Sequence, residues 1–169
     1  VIGTFRKHRL PNEAVFDEER YFIAGSELPV FEVAGYTVGA SVCEDAWSSD
    51  GPIAGLAASG AQVVVNINGS PYYAGRIDER EAVISDRARE ANVPIVYVNV
   101  VGGQDELVFD GGSFAVNADG AVAVRSPQFV EDLLVVELEP DESGRLVVQP
   151  GPIASRLGRE HEVYEALVL

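Results

Sequence analysis

Three short apolar runs separated by helix-like stretches set the pattern of the middle of this chain. Tyr36 to Val42 is rich in β-branched and small residues and stops at Cys43, while Gln62–Ile67 and Pro94–Val101 are nearly continuous in Val, Ile and Tyr. Runs of that length without strict alternation predict strands covered on both faces. Between the first and second runs, Pro52–Ser59 reads as a short helix of small residues, ended by Gly60-Ala61. Between the second and third, Arg76–Ala91 reads as a helix with Ile77, Ile84, Ala88 and Ala91 on one face and charges on the others. This order predicts a repetitive α/β core with loops at Asn68–Tyr73 and Gly102–Glu106, on the side of the sheet where α/β proteins place ligands.

The flanks are patterned differently. Val1–Asn12 reads as a short strand ending in the basic cluster Arg6–Arg9, and Ile2, Phe5 and Leu10 bracket that cluster so that part of it lies over a core. Gly25-Ser26 and Pro29 break residues 23–30 into a connection. Phe31–Val38 predicts a hairpin turning at Ala34-Gly35 and leading into the Cys43 strand. From Phe109 onward the pattern is β-hairpin-like, with strands at Ser113–Val116, Val122–Arg125 and Leu133–Leu138 and a turn at Asp119-Gly120. Pro150 opens a Pro/Gly-rich connection, and Glu160–Leu169 begins a helix with no stop signal. The first residue is Val1 rather than methionine, and both ends read as truncations.

Composition narrows the function classes. At 169 residues and 47% apolar, the chain is long enough for one sizeable core. A net charge of −15 speaks against nucleic acid and anionic membrane as partners. One cysteine rules out an internal disulfide and a Cys-rich zinc site, which fits a reducing cytoplasm. No apolar run approaches the roughly 20 residues of a membrane-spanning helix. Lys7 is the only lysine among 12 basic residues.

Cys43 stands at the end of its strand, followed by Glu44, Asp45 and Trp47, and by Ser48–Pro52, which reads as the cap and first turn of a helix. A lone cysteine is either a small buried hydrophobe or a reactive thiol. Two carboxylates directly after it would be costly to bury, so the turn is expected to face a cleft. A thiol at the amino end of a helix is expected to titrate below the roughly 8.5 of a free cysteine.

Four blocks together resemble the nitrilase, or carbon–nitrogen hydrolase, superfamily: Arg6-Lys7 with Leu10–Asn12 and Phe16–Phe22; Val42–Asp45 with Trp47; Asn68 with Ser70–Tyr72; and Val101–Gly111. Within it, the Gly102–Gly111 run and the closing Glu162–Leu169 resemble the glutaminase domains of the glutamine-dependent NAD synthetase family. The resemblance covers essentially the whole chain. It implies a four-layer α-β-β-α sandwich, truncated at the N-terminus, over residues 1–150. Residues 151–169 are then a linker and the start of a helix leading to an absent synthetase domain.

The same resemblance implies the chemistry. Cys43 would attack an amide carbon, ammonia would leave, and water would hydrolyse the thioester. Lys7, with a backbone N–H just after Cys43, would stabilise the tetrahedral oxyanion. Glu18 matches a supporting glutamate that holds the lysine. The general base is a glutamate well upstream of the lysine block, to which nothing in this sequence corresponds. Phe16, Glu44, Trp47, Ser70 and Arg76 fall where the family lines its glutamine pocket, with Arg76 suited to a two-pronged contact to the substrate α-carboxylate. Glu13 replaces an aromatic residue usual there. Plainer readings also stand: Arg76 as an exposed residue of a first helical turn, Ser70 as a turn former before Pro71, and Trp47 as a cover over the cysteine turn.

No metal or cofactor is expected in this domain; ATP and magnesium would serve only the synthetase domain, which would amidate deamido-NAD. Glutamine, that domain and further copies of the chain, in a closed oligomer, are the expected partners. A free-standing amidase or carbamoylase of the same superfamily, and a non-catalytic module for assembly or ammonia channelling, are the alternatives.

Overall fold

The computed structural model describes residues 1–12 and 15–169. In chain order its strands and helices are β1 (Val30–Val33), β2 (Tyr36–Val42), α1 (Pro52–Ala58), β3 (Val63–Asn68), α2 (Arg76–Ala91), β4 (Ile95–Asn99), β5 (Val101–Gln104), β6 (Leu107–Asp110), β7 (Phe114–Val116), β8 (Val122–Arg125), β9 (Leu138–Pro140), β10 (Leu146–Val148) and α3 (Arg159–Val168). Two 3₁₀ turns, Glu18–Arg20 and Cys43–Ala46, lie among them.

Six strands form the central sheet in the order β1-β2-β3-β4-β7-β8. β2, β3 and β4 are parallel and carry the near-continuous apolar runs, while β1, β7 and β8 extend the sheet antiparallel on either side. Ala34 and Gly35 both have positive φ (51° and 85°), the two-residue turn that matches strand twist, so the first hairpin forms as the sequence indicates. Both central helices also form where their periodicity places them. Pro52 takes the first helical position of α1, and Asn92 in left-handed conformation ends α2.

Helices α1 and α2 cover one face of the sheet. Ile53 and Leu56 of α1 and Ile84 and Ala88 of α2 are buried with Val64, Ile95, Tyr97, Phe114 and Val116. A Cβ at Gly39 would lie 3.2 Å from Ala61 and Val64 and 3.3 Å from Leu56, which accounts for glycine in that strand. On the opposite face, Leu134, Val136 and Leu138 pack over Ala115, Val124 and Val148. Over the middle of that face Ile67 and Val98 are exposed.

The carboxyl ends of the parallel strands are polar and buried. Asn66 donates to Ser41 Oγ across the β2–β3 pair (2.9 Å), and Asn68 donates to Asn66 Oδ1 (2.8 Å). Asn68 stands in register with Asn99, whose Oδ1 accepts the Ser70 N–H (2.9 Å). This row of amides fixes the loops above it.

Several expectations at the flanks fail. Residues 1–12 form no strand, and Val1 and Ile2 are exposed, so the apolar residues at the start of the chain have no sheet to join. Gly102–Glu106 is not a loop: β5 and β6 pair from Val101↔Asp110 to Gln104↔Leu107, turning at Asp105-Glu106. Gly102 has φ 142°, which glycine tolerates within a strand. Residues 133–137 are not a strand either, because Leu134 and Val136 cap a sheet face rather than joining a ladder. The pairing nearby is the short hairpin of β9 with β10, which the sequence did not announce. The last segment is strapped across α2: Arg125 donates to the Ala154 carbonyl (2.7 Å), and Arg156 pairs with Asp78 and Glu81.

Candidate active site

Cys43 sits where β2 leaves the sheet. The strand's ladder with β3 runs to Val42↔Ile67, and the chain then turns at once into the 3₁₀ turn Cys43–Ala46. Cys43 itself has φ 46°, a left-handed conformation that costs a β-carbon-bearing residue energy and persists only where surroundings over-determine it.

Asp45 supplies that determination. It is wholly buried, and its Oδ1 accepts the backbone N–H groups of His8 (2.9 Å) and Arg9 (2.8 Å), while Oδ2 accepts that of Val42 (3.0 Å). One carboxylate therefore caps the 3₁₀ turn and staples the segment of residues 7–9 beside the thiol. The expectation that Glu44 and Asp45 both face a cleft is corrected for Asp45: three accepted N–H groups compensate its burial. The signal for it was present, since a carboxylate three residues after a strand's last residue is the back-bonding position of a capping box.

The stapled segment carries Lys7. Its ammonium donates to both oxygens of Glu18 at 2.7 Å, and both side chains are largely sequestered. Cys43 is half-buried and free. Burial pushes its thiol above the ordinary value; the Lys7 ammonium pulls it back down, while the carboxylates of Glu44 and Glu18 push it up, and the Glu44 backbone N–H toward the sulfur lowers it. The expectation of a thiol more acidic than free cysteine is thus corrected. The helix invoked for it, α1, begins only at Pro52, capped by Gly51. What favours the thiolate instead is the lysine.

Two other expected residues meet on the neighbouring elements. The Arg76 guanidinium lies 3.8 Å above the Trp47 ring centroid and also donates to Glu79 (2.8 Å) and to the Tyr73 hydroxyl (2.6 Å). Its Nε is buried with no hydrogen-bond partner among the described residues. Ser70 is buried, its hydroxyl taken by Arg80 (3.2 Å). Phe16 and Glu44 are half-buried, and Glu13 lies outside the described residues. The β5–β6 hairpin closes over the Asn68–Tyr73 loop, with the Tyr72 N–H donating to the Val108 carbonyl (2.7 Å) and the Val100 N–H to the Asn68 carbonyl (3.2 Å).

Arg80 and Glu81 were missed. Both stand on the face of α2 that its period assigns to apolar residues, between Ile77 and Ile84, and both are buried: Arg80 against Asp110 (2.6 Å), Glu81 against Arg125 and Arg156. A charge on the buried stripe was the available signal.

Among the described residues no three His, Cys, Asp or Glu side chains converge on a possible metal position, and no helix is long and apolar enough to cross a membrane. A cavity of about 380 Å³ bordered by Ala61, Pro94 and Leu146 lies at the amino ends of β3 and β4, remote from Cys43. Its Gln62 and Asn117 side-chain oxygens accept the Thr37 and Val148 N–H groups.

The sequence matches the family described as "Carbon-nitrogen hydrolase" over residues 1–146. The glutamine-dependent NAD(+) synthetase of Acinetobacter baylyi is 38% identical over 169 residues, covering 100% of this chain and 30% of its own length. The structure of glutamine-dependent NAD+ synthetase from Acinetobacter baumannii in complex with ADP superposes with a TM-score of 0.90 at 41% identity, over 99% of this chain and 31% of that one. An amidase from Nesterenkonia sp. AN1, in a mutant form showing Michael addition of acrylamide at its active site cysteine, superposes with a TM-score of 0.60 at 26% identity, over 72% of this chain and 46% of that one. The chain thus spans less than a third of the length of the synthetase relatives. A match running through the lysine segment, the cysteine turn and the hairpin beyond α2, on the same backbone, means that the chain belongs to the carbon–nitrogen hydrolase family.

Proposed function

We propose that this domain is a glutaminase, releasing ammonia from the side-chain amide of glutamine through a thioester on Cys43. The observation that carries the reading is the Lys7 ammonium, held by both oxygens of Glu18 and acting on a thiol whose backbone is locked in a left-handed turn. The thiolate adds to the amide carbon, and the oxyanion that forms meets the Lys7 ammonium and the Glu44 N–H. The C–N bond then breaks, nitrogen leaves as ammonia with a proton from a general acid, and water cleaves the thioester to glutamate. The acid–base group is, by family resemblance, a glutamate upstream of Lys7. Arg76, flattened on Trp47 with an unspent Nε, suits an α-carboxylate, and Ser70, Phe16, Glu44 and Glu13 complete the pocket on this reading.

In the whole polypeptide the ammonia would pass to a synthetase domain reached through residues 151–169, which would amidate deamido-NAD with ATP and magnesium within a closed oligomer. The exposed Ile67 and Val98 mark the face where the second sheet of a four-layer sandwich would pack. The likeness to the Nesterenkonia amidase favours one alternative, a small-amide hydrolase.

Glutamate release from L-glutamine, against ammonia release from acetamide and propionamide, tests the reading on this chain and on one extended upstream of Val1, each with Cys43→Ala. Glutamine hydrolysis in the extended chain, abolished by the alanine substitution, is the expected result. Turnover of the small amides alone would replace the glutaminase reading with the amidase one.

A further inference from the structure

Beneath Ser70 and Arg76 runs a line of buried polar contacts that ends on α3. Arg80 donates to Ser70 Oγ (3.2 Å), to the Ser70 carbonyl (2.7 Å) and to Asp110 Oδ1 (2.6 Å). Asp110 Oδ2 accepts from Gln128 Nε2 (3.1 Å), and the same nitrogen donates to Glu162 Oε1 (3.1 Å). The second oxygen of Glu162 accepts the Gly75 N–H (3.2 Å). Arg80, Asp110, Gln128 and Glu162 are all buried.

Glu162 is the one buried residue of α3, a helix that otherwise exposes Val163, Tyr164, Leu167 and Val168. Burying a carboxylate costs more than burying a leucine, so mere attachment of the helix does not explain it. What the carboxylate does, and an apolar side chain would not, is accept an N–H on one side and orient an amide on the other. The N–H belongs to Gly75, which caps α2 in a left-handed conformation (φ 83°), and the next residue is Arg76. Arg156, on the strap before α3, grips Asp78 in the same helical turn.

We propose that Glu162 is a positioning residue for the substrate pocket. Through Gly75 it sets the direction of Arg76, and through Gln128, Asp110 and Arg80 it sets Ser70, so the seating of α3 governs how tightly the pocket holds an amino-acid-shaped amide. The proposal rests on the assignment of Ser70 and Arg76 to the glutamine pocket.

The test uses the intact protein with Glu162→Ala and Glu162→Gln, and two readouts. One is amide hydrogen exchange over residues 70–76. The other is the rate of Cys43 alkylation by a glutamine-shaped chloroketone, compared with that by iodoacetamide. Since small misplacements of orienting groups are expensive, Glu162→Ala should speed exchange over 70–76 and slow the chloroketone roughly tenfold each, with iodoacetamide unchanged. Glu162→Gln keeps one acceptor oxygen and should fall between; it decides the matter if the alanine variant does not fold. Unchanged exchange over 70–76, or equal slowing of both reagents, overturns the proposal. A wild-type protein that does not prefer the chloroketone overturns the glutamine reading alone, and the exchange data still decide the link from α3 to the loop.

Discussion

Asp45 offers the sharpest test of how the site is held. Its carboxylate accepts three backbone N–H groups, two from the segment that carries Lys7 and one from the last residue of β2. Hydrogen bonds to a charged acceptor contribute roughly 1.5–3 kcal/mol each when buried, but His8 and Arg9 are only half-buried and water can reach their freed N–H groups, so about 1 kcal/mol apiece is the fairer figure. Asp45→Ala should therefore cost about 3 kcal/mol, and Asp45→Asn somewhat less, because its Nδ2 would face one donor while its oxygen still serves the others. Much of the cost should appear locally. The described residues before β1 contribute no strand, and beyond Asp45 they are held by a few contacts such as Gly25 N–H to the Lys7 carbonyl (2.8 Å) and His8 to the Glu27 carbonyl (2.9 Å). The two bonds to the segment, about 2 kcal/mol in a local equilibrium, correspond to roughly a thirtyfold rise in opening. The assay is amide exchange at His8 and Arg9 together with the pH profile of Cys43 alkylation. Exchange should accelerate by that factor while the core strands stay protected, and the alkylation profile should move to higher pH as Lys7 drifts from the thiol. Unaltered exchange at both amides, with an unaltered profile, would refute the reasoning.

Three further outcomes follow from the geometry. Lys7→Met removes the cation that lowers the Cys43 thiol and leaves the Glu18 charge that raises it, so thiol reactivity should set in at higher pH than in the wild type; an identical profile would show that the lysine does not act on the sulfur. Tyr97, buried with its hydroxyl close to Ser70 but without hydrogen-bond geometry, has its phenol pushed by burial from 10.0 up to about 12. The folded state keeps a proton there that the unfolded chain releases, so stability should fall between pH 10 and about 12, by on the order of 2–3 kcal/mol. Tyr97→Phe should abolish that fall in alkaline urea titrations and cost nothing near neutrality. Asp110→Asn, which strands the buried Arg80 guanidinium, should lower stability by about 3–5 kcal/mol in urea denaturation, and replacing both partners by Arg80→Met with Asp110→Leu should recover part of it.

The parallel core was legible because its signals are local. Unbroken apolar runs, a proline at the first position of α1 and one apolar stripe along α2 each report on a single element. What escaped depends on partners distant in the chain. Arg80 looked like one more surface charge because its partners, Ser70 and Asp110, lie ten and thirty residues away. Asp45 looked costly to bury because the N–H groups that compensate its burial come from residues thirty-six and thirty-seven positions earlier. The apolar run 133–136 has the composition of a strand and buries every second side chain as a strand would. Burial on one side does not require a ladder, however, and here Leu134 and Val136 cover a sheet face instead. Of the candidate site, the sequence supplied the residues that the structure gathers at Cys43, namely Lys7, Glu18 and Glu44, but mistook what acts on the thiol's titration: a lysine, not a helix end.

The row of buried amides at the carboxyl ends of β2, β3 and β4 has a consequence for how the strands find their alignment. β3 begins with three consecutive valines and β4 with Ile95-Val96, so a shift of one or two residues would keep apolar side chains on both faces there, and hydrophobicity hardly distinguishes the alternatives. Asn66 and Asn99 do distinguish them, since Asn66 meets Ser41 Oγ only when Ser41 stands opposite it, and Asn99 meets the Ser70 backbone only when Asn68 stands opposite Asn99. A slip of β2 against β3 would part Asn66 from Ser41, and a slip of β3 against β4 would part Asn99 from Ser70 and Asn68 from the Val98 carbonyl. The turn bearing Cys43 and the loop bearing Ser70 leave the sheet directly after this row, so the same amides act as a vernier, setting to a single residue step where the two halves of the site face each other.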